Sequence, residues 1–335
     1  MELLRLKCPV CHSSDVQYHS LYTTKNHGGR VMYTCATCPA SFSETKNTLL
    51  EGLKTPVSVI WHVLKARTEG MGLNAAARTF DKAKNTIRSW ERKFVDLHRV
   101  LFLYALVHEF LASVIEGDEA YTKVQKNVPP DQSRGWTILL MDRASRFMWA
   151  LDCGKKDRKL LQKAIKTLDK IARQTHDLSI FTDGERRYGN LLFEICYDLV
   201  KDGRPGRPKK TFKRGVHFSI KNKGSQAHKK GRKRPKYQNP WREHPETTRP
   251  MAETDIHANH AEAFLSALRR NCATFRRKTN MYAKSTKGLQ RLLYVYWVGH
   301  NFLRAHFTTG EVPAVALGVL ERRLTVQEIF QIQMV

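Results

Sequence analysis

Four cysteines near the N-terminus constrain the fold more than any other feature of the sequence. Cys8 and Cys11 form one CxxC pair, and Cys35 and Cys38 form a second pair, with 23 residues between the two pairs. A CxxC turn presents two thiolates to one ion, and tetrahedral zinc prefers four such soft ligands. The spacing therefore predicts a structural zinc site, with disulfide formation or redox chemistry as the alternatives. A closed shell of four thiolates leaves no open position for catalysis.

Two short strands are predicted between the cysteine pairs. Residues 16–21 and 30–34 have the strand pattern, and residues 25–29 (KNHGG) have the composition of a turn. Two strands flanked by paired cysteines are typical of a zinc ribbon. We therefore assign residues 1–50 to a predicted zinc ribbon.

The charge of the chain indicates a polyanionic partner. The 335 residues include 58 Lys and Arg against 31 Asp and Glu, a formal net charge of +27. Nucleic acid is the commonest polyanion, and an anionic membrane surface is the alternative. The most apolar run, residues 100–115, is interrupted by His108 and Glu109, so no membrane span is predicted. The seven cysteines and the absence of a signal-peptide pattern before Cys8 favour the cytoplasm.

A helix-turn-helix unit is predicted in residues 51–99. Thr55 is a candidate N-cap, and the three helical segments are 56–68, 74–80 and 84–97. The third segment has apolar residues on one side and polar or basic residues on the other, and the latter are Lys84, Asn85, Arg88 and Arg92. This arrangement is typical of a DNA-recognition helix, and plain packing of three helices is the alternative. Residues 100–113 are predicted to form a connecting helix.

The pattern changes to strands from about residue 114. Strands are predicted at 114–124, 136–141 and 147–151, followed by a helix at 158–173, a short strand at 178–181 and a helix at 188–200. Three antiparallel strands, a helix and a crossover strand describe a ribonuclease H-like core. The predicted fold class is therefore α/β: a zinc ribbon and a helix-turn-helix unit, then a mixed-sheet catalytic core at 114–310 and a C-terminal tail at 311–335.

Three acidic residues occupy distinctive places in this core. Asp118 lies in the middle of the first strand, on the same face as Glu116. Asp183 follows the crossover strand, where the ligand sites of open sheets collect. Glu262 is the sole acidic residue of the amphipathic segment 257–280. Any one of these acids alone fits a salt bridge or a cap better, but together they predict a catalytic carboxylate cluster.

A basic insertion is predicted at 202–250. Positions 204–236 contain fourteen Lys and Arg and no Asp or Glu, so a phosphate-contacting loop is predicted, with a merely solvated basic run as the alternative. The candidate DNA contacts are Arg204, Arg207, Lys209, Lys210, Lys229, Lys230, Arg232, Lys233 and Arg234. Residues 206–210 (GRPKK) also resemble a minor-groove AT-hook. Basic residues after Glu262 are further candidates: Arg269, Arg276, Arg277 and Lys278.

Several of these motifs together resemble prokaryotic insertion-sequence transposases of the Asp-Asp-Glu type, most of all the insertion-sequence-one family. The segments GDEAY (117–121) and FTDG (181–184) are similar to that family's first-acid and second-acid strands, and the helix of Glu262 with its trailing basic residues is similar to the third-acid helix. HNF (300–302) and PA (313–314) resemble its closing segments. The long interval between Asp183 and Glu262 departs from the pattern and leaves Asp255 and Glu253 as alternatives for the third acid.

The resemblance implies a metal-dependent DNA transposase. Asp118, Asp183 and Glu262 would bind Mg²⁺ or Mn²⁺, hydrolyse one strand at the element end, and join the freed 3′-hydroxyl to target DNA. The implied partner is double-stranded DNA, bound by a homodimer or larger assembly in a prokaryotic nucleoid. Two alternatives remain: a non-catalytic zinc-ribbon and helix-turn-helix regulator, and a ribonuclease H-like nuclease that cuts without joining.

Overall fold

The structure is a computed structural model, and it describes residues 2–25, 28–108, 110, 112–126, 128–175, 177–182, 187–201, 203, 205–222, 238–242, 252–276 and 279–334. It contains two compact units. Unit 1 comprises Met1–His108 and Arg291–Val335, and unit 2 comprises Glu109–Gln290. Unit 1 therefore contains both ends of the chain, whereas the sequence predicts separate N-terminal and C-terminal segments.

The N-terminal part of unit 1 is a three-stranded antiparallel sheet. Its strands are β1 (Val16–Thr24), β2 (Gly28–Cys35) and β3 (Ser41–Ser43), in that order. A small core forms beneath them, in which Cys8, Cys35 and Phe42 are buried. β1 and β2 confirm the two predicted strands between the cysteine pairs.

Three helices follow in unit 1. They are α1 (Val57–Thr68), α2 (Leu73–Thr79) and α3 (Lys84–Val107). Pro56, rather than the predicted Thr55, occupies the N-cap position of α1. The predicted break between a recognition helix at 84–97 and a connecting helix at 100–113 is wrong, because α3 is continuous to Val107. Residues 98–107 contain no Gly or Pro, and Leu101 and Ala105 extend the buried stripe of Leu97 at four-residue steps.

The C-terminal residues complete unit 1. They form a π-helical turn (Gly299–Leu303), α8 (Pro313–Ala316) and α9 (Val326–Gln331). The Phe330 ring packs edge-on against Phe94, with 5.9 Å between the centroids. The Gln333 side chain accepts a hydrogen bond from the Lys7 backbone N–H at 2.7 Å and donates one to the Lys7 carbonyl at 3.1 Å. The tail therefore packs against the N-terminal part of its own chain.

A six-stranded mixed sheet forms the centre of unit 2. In chain order its strands are β4 (Val114–Tyr121), β5 (Trp136–Asp142), β6 (Met148–Gly154), β7 (Leu178–Thr182), β10 (Val216–Asn222) and β11 (Gln238–Arg242). Their order across the sheet is β11-β10-β7-β4-β5-β6. β4, β5 and β6 are antiparallel neighbours, whereas β7 is parallel to both β4 and β10. The mixed α/β class predicted from the sequence is confirmed.

Helices accompany this sheet. They are α4 (Arg158–Gln174), α5 (Arg187–Ile195) and α6 (Asn259–Asn271), and α7 (Thr286–Val298) begins in unit 2. Asp157 caps α4 by accepting a hydrogen bond from the Leu160 N–H at 3.1 Å. The apolar stripe of α4 is buried, with Leu161, Ile165 and Leu168 among its members.

Two predictions about the middle of unit 2 are wrong. The predicted helix at 188–200 ends at Ile195, and Tyr197–Val200 forms β8, which pairs with β9 (Lys209–Phe212). The segment 202–250 is not a plain loop either, because it supplies β9, β10 and β11. Within it Phe212, Phe218 and Ile220 are buried, so apolar residues lie between the basic ones and provide sheet contacts. Positions 223–237 and 243–251 lie outside the described residues.

Across the described ranges, no helix combines the length and the apolar character that spanning a bilayer requires.

Candidate functional site

The four N-terminal cysteines come together in unit 1. Their ligand atoms all lie within 4.8 Å of one another. Cys8 Sγ is 3.6 Å from Cys38 Sγ, and Cys11 Sγ is 3.5 Å from Cys35 Sγ. Zinc–sulfur bonds of about 2.3 Å in a tetrahedron would separate the sulfurs by about 3.8 Å. The cluster could therefore bind zinc, and all seven cysteines of the chain are free thiols.

Two thiols of this cluster have pKa values displaced in opposite directions. Burial raises the pKa of Cys35, but hydrogen bonds from the backbone at Cys38 and Thr37 lower it to a net value of about 6. The backbone N–H of Ala40 lowers the pKa of Cys38, whereas burial and the neighbouring thiols raise it to about 12. Adjacent thiolates repel one another, so full deprotonation of all four requires a cation between them.

Asp118 lies on β4, near the middle of the sheet of unit 2. It is partly exposed, and its Oδ1 accepts a hydrogen bond from the Glu119 N–H at 2.7 Å. The next side chain, Glu119, forms an ion pair with Lys156. Because side chains alternate along a strand, Asp118 shares its face with Glu116, as the sequence predicted.

The neighbouring strand β7 ends beside this position. Thr182, its last residue, is the register partner of Gly117 on β4 and of Ile220 on β10. The chain therefore leaves β7 between these two strands, level with the residue that precedes Asp118. Asp183, the predicted second acid, follows Thr182 in sequence and lies outside the described residues.

Glu262 lies in the first turn of α6. Ala261, Phe264, Leu265 and Leu268 form the buried stripe of this helix, as predicted, and α6 packs on β4. Glu262 is partly exposed, and its Oε1 lies 3.9 Å from Lys221 Nζ on β10. The alternative third acid Asp255 is exposed, in a 3₁₀ turn (Glu253–Asp255) before α6.

Glu116, which sequence reasoning did not select, holds the start of α6. Its side chain is fully buried. Oε2 accepts hydrogen bonds from the backbone N–H groups of His260 at 2.9 Å and Ala261 at 3.0 Å. Oε1 accepts hydrogen bonds from Arg143 Nε at 2.7 Å and His260 Nδ1 at 2.8 Å. The sole sequence signal was that Glu116 shares a strand face with Asp118.

Arg143 connects Glu116 to the segment that precedes α6. Its guanidinium donates hydrogen bonds to the carbonyls of Asp255 at 2.9 Å and His257 at 2.6 Å. Burial raises the pKa of Glu116, but the bonds from His260 and Ala261 and the charge of Arg143 bring the pKa below its ordinary value. Burial, and then Arg143, lowers the pKa of His257. The network therefore holds an ionised carboxylate beside a neutral histidine.

Two groups of possible metal ligands occur in the described part of the chain. One is the cysteine cluster, and the other is Glu116 with His257 and His260, whose ligand atoms also lie within 4.8 Å of one another. By distance this second group could hold an ion, although Arg143 Nε donates to the same Glu116 oxygen. Asp118 and Glu262 belong to neither group.

Lys221 provides a second attachment for α6. Only 6% of this lysine is exposed, and its Nζ donates a hydrogen bond to Asn259 Oδ1 at 2.8 Å. Asn259 is the first residue of α6. The start of this helix is therefore bound to both β4 and β10, the two strands that flank β7.

The predicted DNA contacts fall into separate groups. The recognition-helix candidates Lys84, Asn85, Arg88 and Arg92 are all exposed on α3. Arg207, Lys209 and Lys210 are exposed on the β8–β9 hairpin and its connection, and Lys210 lies over the Tyr197 ring at 3.9 Å. Arg269 is partly exposed on α6, and Arg276 is exposed beyond its end. Other candidates lie outside the described residues: Arg204, Lys229, Lys230, Arg232, Lys233, Arg234, Arg277 and Lys278.

No protein-family model matches the chain, and no curated protein is significantly similar to it.

Proposed function

We propose that this protein is a DNA transposase with a ribonuclease H-like catalytic unit. The observation that carries the proposal is the docking of α6 on the sheet. This docking brings the helix of Glu262 to the strand of Asp118 and to the end of β7, after which Asp183 follows. The three acids were selected from the sequence for their places on a strand, a strand end and a helix.

The topology of unit 2 supports the ribonuclease H-like assignment. Three antiparallel strands (β4, β5 and β6), then α4, and then β7 parallel to β4 follow the expected order of elements. The additional parallel strand β10 covers the far side of β7, so the proposed site lies at the end of an interior strand. Strand ends of this kind collect ligands in open α/β sheets.

The proposed chemistry needs oxygen ligands and phosphate-binding cations. The carboxylates of Asp118, Glu262 and Asp183 suit Mg²⁺ or Mn²⁺, which when bound would stabilise the attacking and leaving oxygens of an in-line displacement. Arg269 and Arg276 would neutralise DNA phosphates beside Glu262. Serine or tyrosine nucleophiles are not required, because both steps are direct displacements at phosphorus.

Two displacements make up the reaction. In the first, a water oxygen attacks the phosphorus at the element end and loses a proton, and the phosphorus–3′-oxygen bond breaks. The leaving oxygen gains a proton and becomes a 3′-hydroxyl. In the second, this hydroxyl attacks a target phosphorus, and a target 3′-oxygen leaves in the same way. No oxidant or reductant is consumed.

Unit 1 fits the role of binding the element ends. Its cysteine cluster would form a zinc ribbon, and the exposed face of α3 would contact double-stranded DNA. A net charge of +27 suits a nucleoid-associated protein. Because two ends must be joined, a homodimer or larger assembly on DNA completes the proposal.

A strand-transfer assay tests the proposed function. Labelled element ends, a target plasmid and Mg²⁺ are incubated with the wild-type protein and with the Asp118→Ala, Asp183→Ala and Glu262→Ala variants. We expect joined products from the wild type, and end binding without cleavage from each variant. Nicks without joining would indicate a nuclease, and binding without any cleavage would indicate a DNA-binding regulator. Either result from the wild type would refute the transposase.

A further inference from the structure

We propose that Glu116 is a positioning residue for this reaction: it caps α6 from β4 and thereby fixes Glu262 relative to Asp118. The inference rests on the proposed function and assigns a role to a residue outside the three acids. It also assigns the Glu116, His257 and His260 group to helix attachment instead of metal binding.

The start of α6 depends on hydrogen-bond acceptors from outside the helix. The first N–H groups of a helix lack partners within it and need an acceptor. The N-cap residue of α6 is Ala258, whose side chain cannot accept a hydrogen bond. Glu116, 144 positions earlier, supplies the acceptor to His260 and Ala261. Its negative charge also matches the positive end of the helix dipole.

A short covalent and hydrogen-bonded path connects Asp118 to Glu262. Glu116 lies two residues before Asp118 on β4, and Ala261 lies directly before Glu262 on α6. The 3.0 Å bond between Glu116 and the Ala261 N–H therefore links the two acid-bearing segments. Without this bond the first turn of α6 would lose its register on β4, and the spacing of the two carboxylates would change.

The Glu116 carboxylate has no acceptor capacity left for a cation. A carboxylate offers about four lone-pair sites. Arg143 Nε, His260 Nδ1 and the N–H groups of His260 and Ala261 already donate to Glu116 at 2.7–3.0 Å. A metal ion would have to displace the guanidinium of Arg143, which is itself held by the carbonyls of Asp255 and His257.

The Mg²⁺ dependence of end cleavage is the main test. Loss of a residue that orients metal ligands typically weakens metal affinity by about 10- to 100-fold. We expect Glu116→Ala to raise the half-saturating Mg²⁺ concentration by that factor, with end binding and zinc content unchanged. Glu116→Gln should lie between it and the wild type, because an amide oxygen can still accept the two backbone bonds.

Glu119→Gln is the matched control. Glu119 is nearly buried on the same strand and forms an ion pair with Lys156, on the face opposite Asp118. Its variant should keep the wild-type Mg²⁺ dependence. If Glu116→Ala also keeps it, the positioning role is wrong. If the wild type does not cleave at all, the proposed function fails instead, and the two failures are thus distinguishable.

Hydrogen exchange on the full-length protein covers the case of a poorly folded alanine variant. In Glu116→Met, whose side chain is similar in length but accepts no hydrogen bond, the amides of residues 260 and 261 should exchange roughly tenfold faster, as for loss of a cap, with β5 unaffected. Unchanged exchange there would refute the cap. Equilibrium dialysis with Zn²⁺ or Mn²⁺ tests the alternative, that Glu116 is a metal ligand. A metal equivalent lost from Glu116→Ala but retained by Glu119→Gln would make Glu116 a ligand and overturn the proposal.

Discussion

Lys221 Nζ and Glu262 Oε1 lie 3.9 Å apart, although 41 positions separate the two residues in the chain. The lysine side chain is almost wholly buried on β10, and Glu262 retains partial exposure on α6. A buried ammonium is costly unless charged or polar partners surround it. Here Glu262 and Asn259 supply those partners, so α6 and β10 stabilise each other's positions.

Removal of this lysine should destabilise unit 2. Lys221→Met removes the charged donor of Asn259 and the ammonium beside Glu262, and loss of such a buried bond costs about 1–3 kcal/mol. Urea unfolding of the full chain measures this change. Lys163→Met, at an exposed position of α4, should stay within about 0.5 kcal/mol of the wild type. Equal stability of the two variants would contradict the attachment.

The cleavage rates of two variants distinguish Glu262 from Asp255 as the third catalytic acid. Glu262→Gln should slow end cleavage about a thousandfold, since a lost metal ligand removes several kcal/mol of transition-state stabilisation. Asp255→Asn should cleave at nearly the wild-type rate, because the backbone carbonyl of Asp255 contacts Arg143 and its side chain is exposed. Single-turnover cleavage of labelled ends separates the two, and a reversed order would move the catalytic role to the 3₁₀ turn.

Metal analysis tests the cysteine cluster. The purified protein should contain one zinc per chain, and Cys8→Ser should lose it together with much of the thermal stability of unit 1, because structural zinc contributes directly to folding. Cys153→Ala is the control, since Cys153 is buried in unit 2 and does not belong to the cluster. A wild-type protein free of zinc, or a Cys8→Ser variant that retains it, would count against the site.

Acid unfolding should depend on Glu116. Its folded-state pKa is lowered below the ordinary 4.5, so its contribution to stability is complete above pH 4.5 and is lost as the pH falls through the folded value. The Glu116→Gln variant cannot titrate and should lose less stability between neutral pH and that range. Arg143, His257 and His260 face the same carboxylate and remain present in both proteins. Parallel pH curves for the two proteins would contradict the assignment.

The exposed face of α3 makes a prediction about salt dependence. Lys84, Arg88 and Arg92, if they contact three phosphates, should together account for a slope of about three in the log–log plot of DNA affinity against salt. In a triple alanine variant of these residues, the magnitude of this slope should decrease by about three, as measured by fluorescence anisotropy. The triple alanine variant of Lys163, Lys166 and Lys170 removes equal charge from the exposed face of α4 and should change the slope little.

Local patterns sufficed for much of the fold. The strands β4 to β7 and helix α4 were predicted within a few residues, because each has a clear period and a clear turn beside it. The strands within the basic segment are not predicted because charge dominates the composition there, whereas the buried aromatic and aliphatic residues Phe212, Val216, Phe218 and Ile220 provide the sheet contacts. The sequence predicts a break in α3 after Leu97 because the polarity of the residues changes there. The structure has no break, because the backbone geometry requires none at that point.

The candidate site was only partly accessible to sequence reasoning. Asp118 and Glu262 could be selected because the secondary structure around each is locally encoded. The cap formed by Glu116 could not, because it joins a strand to a helix 144 positions later through backbone N–H groups, which carry no sequence identity. Lys221 was counted among the basic residues of an insertion, and its burial depends on β10, which was not predicted.

The pairing of Phe94 with Phe330 has a consequence for synthesis of the chain. Protein domains generally fold as units while the chain leaves the ribosome, the earlier segments first. Unit 2 is complete in sequence once residue 290 has emerged, whereas Lys7 and Phe94 meet their partners only after Phe330 and Gln333 have been made. Unit 1 can therefore reach its final packing only in a chain translated to that point.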